Sequence, residues 1–197
     1  MRGSGKSTLT RKLATMPEYD RKIVFDINGE WKGSHHVFSF EEFSNVWRKI
    51  FNEDQFTIVI GIPYGQSQEE IQALASQVSS LVYRTGKESE LYTCLIFEEA
   101  QFYFPTYNLS PELFSLLTVG RHGYLNIIAN TQRPAQIHKT LISQSADVYI
   151  GKLFEMNDIK YLMGTIGDTA LDAKNLQSGE FIHYKIGEGA TEIICVF

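Results

Sequence analysis

Apolar positions along the chain recur in blocks that switch between a helical and a strand-like pattern. Leu9, Leu13 and Met16 share one face of residues 6–16, and Pro17 ends that predicted helix. RKIVFDI (21–27) is a short apolar run closing on an acid, the pattern of a buried strand. In SFEEFSNVWRKIF (39–51), Ser39 and Glu42 stand at capping-box spacing, and Phe43, Val46, Trp47 and Ile50 recur at helical period. FTIVIGI (56–62) predicts a second strand. Ser67 and Glu70 form another capping box, ahead of a helix carrying Ile71, Leu74, Val78, Leu81 and Val82 and ending near Gly86.

LYTCLIF (91–97) predicts a third strand, running into Glu98 and Glu99. An aromatic loop follows, and Ser110-Pro111 supplies the N-cap and first-turn residues of the next helix. LNIIANTQ (125–132) and DVYIGKL (147–153) predict a fourth and a fifth strand. A helix through Ile159, Leu162 and Met163 comes next, and then a closing hairpin of GEFIHYKI and TEIICVF around a glycine-rich turn at 187–189.

Strands alternating with helices predict an α/β fold, a mainly parallel sheet covered by helices on both faces, with a C-terminal β-hairpin. No linker interrupts residues 1–197, so one domain is expected. In such sheets ligands sit at the carboxyl ends of the strands. That rule gathers Asp26, Glu98, Glu99 and Gln132, far apart in sequence, on one edge.

Composition narrows the class. The chain has 197 residues, 43% of them hydrophobic and 21% charged, as in an ordinary globular protein. Its net charge of −5 and pI near 5.6 exclude a surface that is basic overall. Any nucleic-acid contact must come from a local patch or a channel formed by assembly. Cys94 and Cys195 lie in apolar strand-like runs and are expected as buried thiols. No apolar stretch is long enough to cross a bilayer and no signal-peptide core is apparent, so a cytoplasmic setting is expected.

The candidate chemistry begins at MRGSGKST (1–8). A phosphate-binding loop is Gly, four residues, then Gly-Lys-Ser/Thr. With Gly5-Lys6-Ser7 as its end, the leading Gly falls one position before Met1. Arg2, Gly3, Ser4, Gly5, Lys6, Ser7 and Thr8 would cradle phosphates with backbone N–H groups at a helix N-terminus. Lys6 would reach the β- and γ-phosphates, and the Ser7 hydroxyl would ligate Mg²⁺. The competing reading is a Gly/Ser-rich tail ahead of a helix.

In CLIFEEA (94–100), Glu98 is placed as the metal-side acid and Glu99 as the base that activates water. A second acid poised for water suits hydrolysis better than transfer to an alcohol. Two solvated acids at a strand end would look the same in sequence. Gln132, also at a strand end, could bond the attacking water or sense the γ-phosphate, or merely cap the turn before Pro134. Arg121 in GRHG could be an arginine donated across a subunit interface, or simply a cation at a helix C-terminus.

Together RGSGKST, FDINGEW, LIFEEAQ, GRHGYLNIIANTQRP and IHKTLISQSAD resemble the HerA/FtsK superfamily of P-loop ATPases, in the order that family shows. The resemblance implies a RecA-like core, hydrolysis of ATP with Mg²⁺, and a ring, commonly a hexamer, that pumps double-stranded DNA. It also implies that Asp26 and Glu30 face the nucleotide site, with Arg133 at its edge. The chain has room for the ATPase core alone, and so looks most like the compact genome-packaging ATPases of viruses. Capsid-vertex or membrane proteins, the host cytoplasm and the virion would then be its surroundings.

Two departures stand out: Glu98 occupies a position where aspartate is more usual, and the strand that precedes the loop is missing. That central strand is expected ahead of Met1. Candidate DNA contacts are the loop 30–36, the aromatic loop 101–109, and Arg133 with Lys139, although the aromatics are expected to pack against the core or a neighbour and His35 and His36 to lie in a surface loop. The alternatives are a cellular HerA-like translocase core, a small-molecule or nucleotide kinase, and an assembly subunit that binds nucleotide without turnover. No arginine-rich lid segment supports the kinase.

Overall fold

The computed structural model describes residues 5–16 and 19–197, save the side chains of 190 and 191. Its main sheet has five strands, all parallel, in the order β2-β3-β1-β4-β5. They are β1 (Arg21–Asp26), β2 (His35–Val37), β3 (Phe56–Gly61), β4 (Thr93–Phe97) and β5 (Leu125–Ala129). The helices are α1 (Lys6–Leu13), α2 (Phe40–Ile50), α3 (Gln68–Ser89), α4 (Pro111–Val119), α5 (Lys139–Ser143) and α6 (Met156–Ile166).

Alternation along the central strands sorts the layers. Ile23 and Phe25 of β1, with Leu95 and Phe97 of β4, join the large core beneath α2, α3 and α4. Val24, Cys94 and Ile96 point to the opposite face and pack with Ala14 at the end of α1. A parallel sheet covered on both faces needs this near-continuous apolar run. Ser39, Ser67 and Ser110 cap α2, α3 and α4, and Ser67 with Glu70 closes a full capping box. Of the four aromatics in the loop 101–109, Tyr103 and Phe104 pack inward, fully buried against Phe97, while Phe102 and Tyr107 are exposed.

Several expectations need correction. The fifth strand, β6 (Asp147–Ile150), does not extend the parallel sheet; it pairs antiparallel with β7 (Glu180–Lys185), which pairs with β8 (Gly189–Cys195) in a separate three-stranded sheet. The closing hairpin is thus present but carries a third strand. His35 and His36 are not loop residues; they form β2 at the sheet edge. The fourth strand stops at Ala129, leaving Gln132 in the following turn. Cys195 is exposed, because it lies at the end of β8, while Cys94 is buried as expected.

All of β5 and all of β6 line one cavity of about 890 Å³, with Leu9, Thr10 and Leu13 of α1 on its wall. The strand expected ahead of Met1, and the loop residues Arg2, Gly3 and Ser4, lie outside the described residues. Among the described residues no helix is long and apolar enough to cross a membrane.

Candidate active site

The N-terminus of α1 is set by Gly5, whose φ of +86° is the left-handed conformation that favours glycine. A Cβ there would meet Val196 Cγ2 at 3.0 Å, the Gly179 backbone at 3.2 Å and the Phe181 ring at 3.3 Å. Gly5 therefore brings the helix start close to Phe181 of β7 and to Gly179 and Val196 beside β7 and β8, and a helix N-terminus is where backbone N–H groups meet an anion. Ser7 is half-buried and Thr8 exposed. Lys6 is also half-buried: burial lowers its pKa, and the nearby charges of Glu99 and Glu98 oppose that shift. The phosphate-loop lysine and the two strand-end acids are thus brought together.

Glu98 leaves β4 and is buried, yet both its oxygens are bonded. Trp31 Nε1 donates to Oε1 at 2.8 Å, and Asn130 Nδ2 donates to Oε2 at 2.6 Å. The same Asn130 amide donates to Thr10 Oγ1 of α1 at 3.0 Å, and its Oδ1 accepts from the Glu99 N–H at 3.2 Å. One side chain just past β5 thereby ties together the loop helix, the first acid and the backbone of the second. Glu99 itself has φ 56° and ψ 61°, left-handed and uncommon for a non-glycine residue. That turn swings its carboxylate away from Glu98 and into reach of the loop after β5. Gln132 Nε2 donates to its Oε1 at 2.6 Å, and Gln101 Nε2 to its Oε2 at 3.0 Å.

The other candidates have more local duties. Asp26 is buried at the end of β1, and its carboxylate accepts three backbone N–H bonds, from Asn28, Gly29 and Trp31. It shapes the loop that presents Trp31. Glu30 is exposed and pairs with Arg11 at 3.5 Å, and the Arg11 guanidinium stands 5.6 Å from the Trp31 ring centroid. Arg133 pairs through Nε with the buried Asp158 of α6 at 3.3 Å. Arg121 is exposed on the 3₁₀ turn Gly120–Gly123, on the wall of the cavity between β5 and β6.

Among the described residues no three His, Cys, Asp or Glu side chains gather to hold a metal. The donor set still fits Mg²⁺, which keeps several waters and needs only one or two carboxylates beside substrate phosphates. Glu98 and the Ser7 hydroxyl are the groups that would hold it.

No protein-family model matches the chain, and no curated protein matches it. Solved structures do. The genome packaging NTPase B204 from Sulfolobus turreted icosahedral virus 2, in complex with AMPPCP, superposes with a TM-score of 0.78 at 19% identity, covering 98% of this chain and 92% of that one. Its complex with ATP-gammaS gives 0.73 at 20% identity with the same coverage, 98% and 92%. The DNA-packaging ATPase from Sulfolobus turreted icosahedral virus gives 0.68 at 19% identity, again over 98% and 92%. The chain shares the fold of these packaging NTPases over nearly its whole length. Within that fold, the opening of α1, the acids after β4 and the turn after β5 lie at one end of the parallel sheet, where the strand-end rule places a ligand.

Asn130, Trp31, Thr10 and Gln101 are the site residues that sequence reasoning missed. Asn130 carried a signal, a polar residue directly at the end of an apolar strand beside Thr131 and Gln132. Trp31 lay within FDINGEW and the loop 30–36, but nothing there pointed to Glu98, and Thr10 carried no signal, because their partners lie 67 and 120 residues away.

Proposed function

We propose that the chain is an Mg²⁺-dependent ATPase that hydrolyses ATP to ADP and phosphate and uses that turnover to drive double-stranded DNA into a preformed viral capsid. The observation that carries this reading is the meeting of Lys6, Glu98, Glu99 and Gln132, with Gln132 bonded to Glu99 at 2.6 Å.

The first N–H groups of α1 and the Lys6 ammonium bind the phosphates and offset their charge. Mg²⁺, when bound, neutralises charge on the phosphate oxygens. Asn130 and Trp31 hold Glu98 in one orientation on the metal side. Glu99 takes a proton from the attacking water, the oxygen bonds to the γ-phosphorus, and the bond to the ADP oxygen breaks. Gln132 can pass its amide N–H from Glu99 to that water and so orient it. Arg121, exposed on its turn, suits donation to a neighbouring subunit's site in a ring, which we take to be a hexamer. The DNA would pass through that ring, and the partners at the capsid would be vertex or membrane proteins.

The test is ATP hydrolysis with and without double-stranded DNA. Stimulation by DNA, and loss of at least a hundredfold in Glu99→Gln with nucleotide binding retained, are the expected results. Normal turnover in Glu99→Gln would sink the assignment, and phosphate transfer to an added nucleoside without DNA stimulation would point to a kinase.

A further inference from the structure

Gln101 has no part in the chemistry above, yet its side chain is bonded at both ends. Its Oε1 accepts from Thr131 Oγ1 at 2.7 Å, and its Nε2 donates to Glu99 Oε2 at 3.0 Å. Its main-chain carbonyl accepts from Gln68 Nε2, at the start of α3, at 2.9 Å. A primary amide can present either its oxygen or its NH₂, and only the NH₂ is compatible with a carboxylate.

Thr131 engages the other end of that amide. Its Oγ1 accepts from the Arg133 backbone N–H at 3.0 Å and donates to Gln101 Oε1 at 2.7 Å, so the amide is held with its NH₂ towards Glu99. The Arg133 end of this path is anchored in turn by α6. Asp158, almost fully buried, pairs with Arg133 Nε at 3.3 Å and accepts from the Ala135 N–H at 2.8 Å.

We propose that Thr131 and Gln101 are positioning residues, a hydrogen-bonded relay from the turn after β5 that aims the Glu99 carboxylate. The inference rests on the reading of Glu99 as the base. Gln132 covers one oxygen of that carboxylate and must exchange with water during turnover. Gln101 covers the other and stays, so that Glu99 keeps its aim while Gln132 moves. Without the Thr131 hydroxyl, the Gln101 amide oxygen loses its partner, and the side chain is free to leave its place against Glu99.

The test compares wild type with Thr131→Val, Thr131→Ser and Gln101→Ala. Losing one hydrogen bond to a charged group predicts about a tenfold or greater fall in kcat for Thr131→Val and Gln101→Ala. The KM for ATP should stay within about twofold of wild type, because neither group touches the phosphates in this reading. Thr131→Ser, which keeps the hydroxyl, should restore kcat. The ¹H–¹⁵N NMR signals of the Gln101 side-chain amide read the same effect without turnover: they should shift and exchange faster with water in Thr131→Val and return in Thr131→Ser. Wild-type hydrolysis with unchanged kcat in the variants would overturn the relay alone. If wild type does not hydrolyse ATP, the function falls and the amide spectrum still decides the relay, which unchanged Gln101 signals in Thr131→Val would overturn.

Discussion

Trp31 donates its indole N–H to Oε1 of Glu98 at 2.8 Å, joining residues 67 apart in sequence. The contact depends on the loop after β1 and on Arg11 of α1, whose guanidinium stands 5.6 Å from the ring centroid. Replacing the donor leaves a buried acid with one bond fewer, a loss of about 1.5–3 kcal/mol when the acceptor is charged. Trp31→Phe should lower kcat roughly tenfold by steady-state ATPase assay. The chain has two tryptophans, and Trp47 is a buried residue of α2 bonded to Thr85 of α3. In a Trp47→Phe background, the fluorescence of Trp31 should therefore change on addition of ATP and Mg²⁺.

Asp26 supports that arrangement from beneath. It is 2% exposed, and three backbone N–H groups of the loop converge on its carboxylate. Asp26→Ala leaves all three donors without an acceptor and should destabilise the fold by about 2–4 kcal/mol in urea unfolding. Asp26→Asn keeps the shape but can accept on one oxygen only, so it should fall between. A loss of turnover in Asp26→Asn with no loss of stability would instead give Asp26 the direct role at the nucleotide that the family resemblance implies.

How much of this was legible in sequence follows from range. The runs through Ile23–Phe25, Ile58–Ile60 and Leu95–Phe97 identified three central strands, because strands buried on both faces read as unbroken apolar blocks. The capping serines fixed helix starts within a turn. β2 was invisible because three residues, two of them histidine, carry no periodicity. The run at 147–150 was rightly read as strand but wrongly joined to the parallel sheet, since local pattern does not say which edge a strand pairs with. In the site, Glu98, Glu99 and Gln132 were legible as polar groups at strand ends. Asn130 as their hub was not, since its three side-chain bonds reach Thr10, Glu98 and Glu99 through tertiary packing alone.

Gly5 offers a test in which stability and binding fail together. An alanine there must hold φ near +86° and bring its Cβ to 3.0 Å from Val196 Cγ2 and 3.2 Å from the Gly179 backbone. A strained left-handed residue costs about 1–3 kcal/mol, before any shift of β7 and β8 is counted. Gly5→Ala should lower the thermal midpoint and weaken nucleotide binding in the same preparation. Gly65→Ala, where φ is +89° but nothing lies within 4 Å of the added Cβ, should cost the backbone strain alone and leave binding unchanged.

The two cysteines separate by environment. Burial pushes the Cys94 thiol up to about 12, while Cys195 is exposed at the end of β8. The thiolate is the reactive form. At neutral to mildly alkaline pH, a thiol reagent should therefore modify one site in the folded protein, Cys195, and two after denaturation. Mass spectrometry of the labelled peptides decides this, and rapid native labelling of Cys94 would contradict the packing of β4 against α1.

Lys6 should make nucleotide binding and fold stability respond to pH in opposite directions. Burial is the larger influence and lowers its pKa, with Glu99 and Glu98 pulling it back up in part. In the unfolded chain the lysine returns to its ordinary, higher value, so between the two values the unfolded state holds more proton than the folded one. By linkage, this group's contribution to stability is then least at low pH, where both states are charged, and grows as pH rises through the folded value. Binding has the reverse sign. A triphosphate beside the ammonium adds negative charge and raises its pKa, so complex formation takes up a proton near the free-state value. Affinity should fall as pH rises through that value. Calorimetry of a non-hydrolysable ATP analogue, repeated in buffers of different ionisation enthalpy, should register net proton uptake in wild type. Lys6→Ala should abolish that uptake, and uptake unchanged in this variant would remove Lys6 from the phosphates.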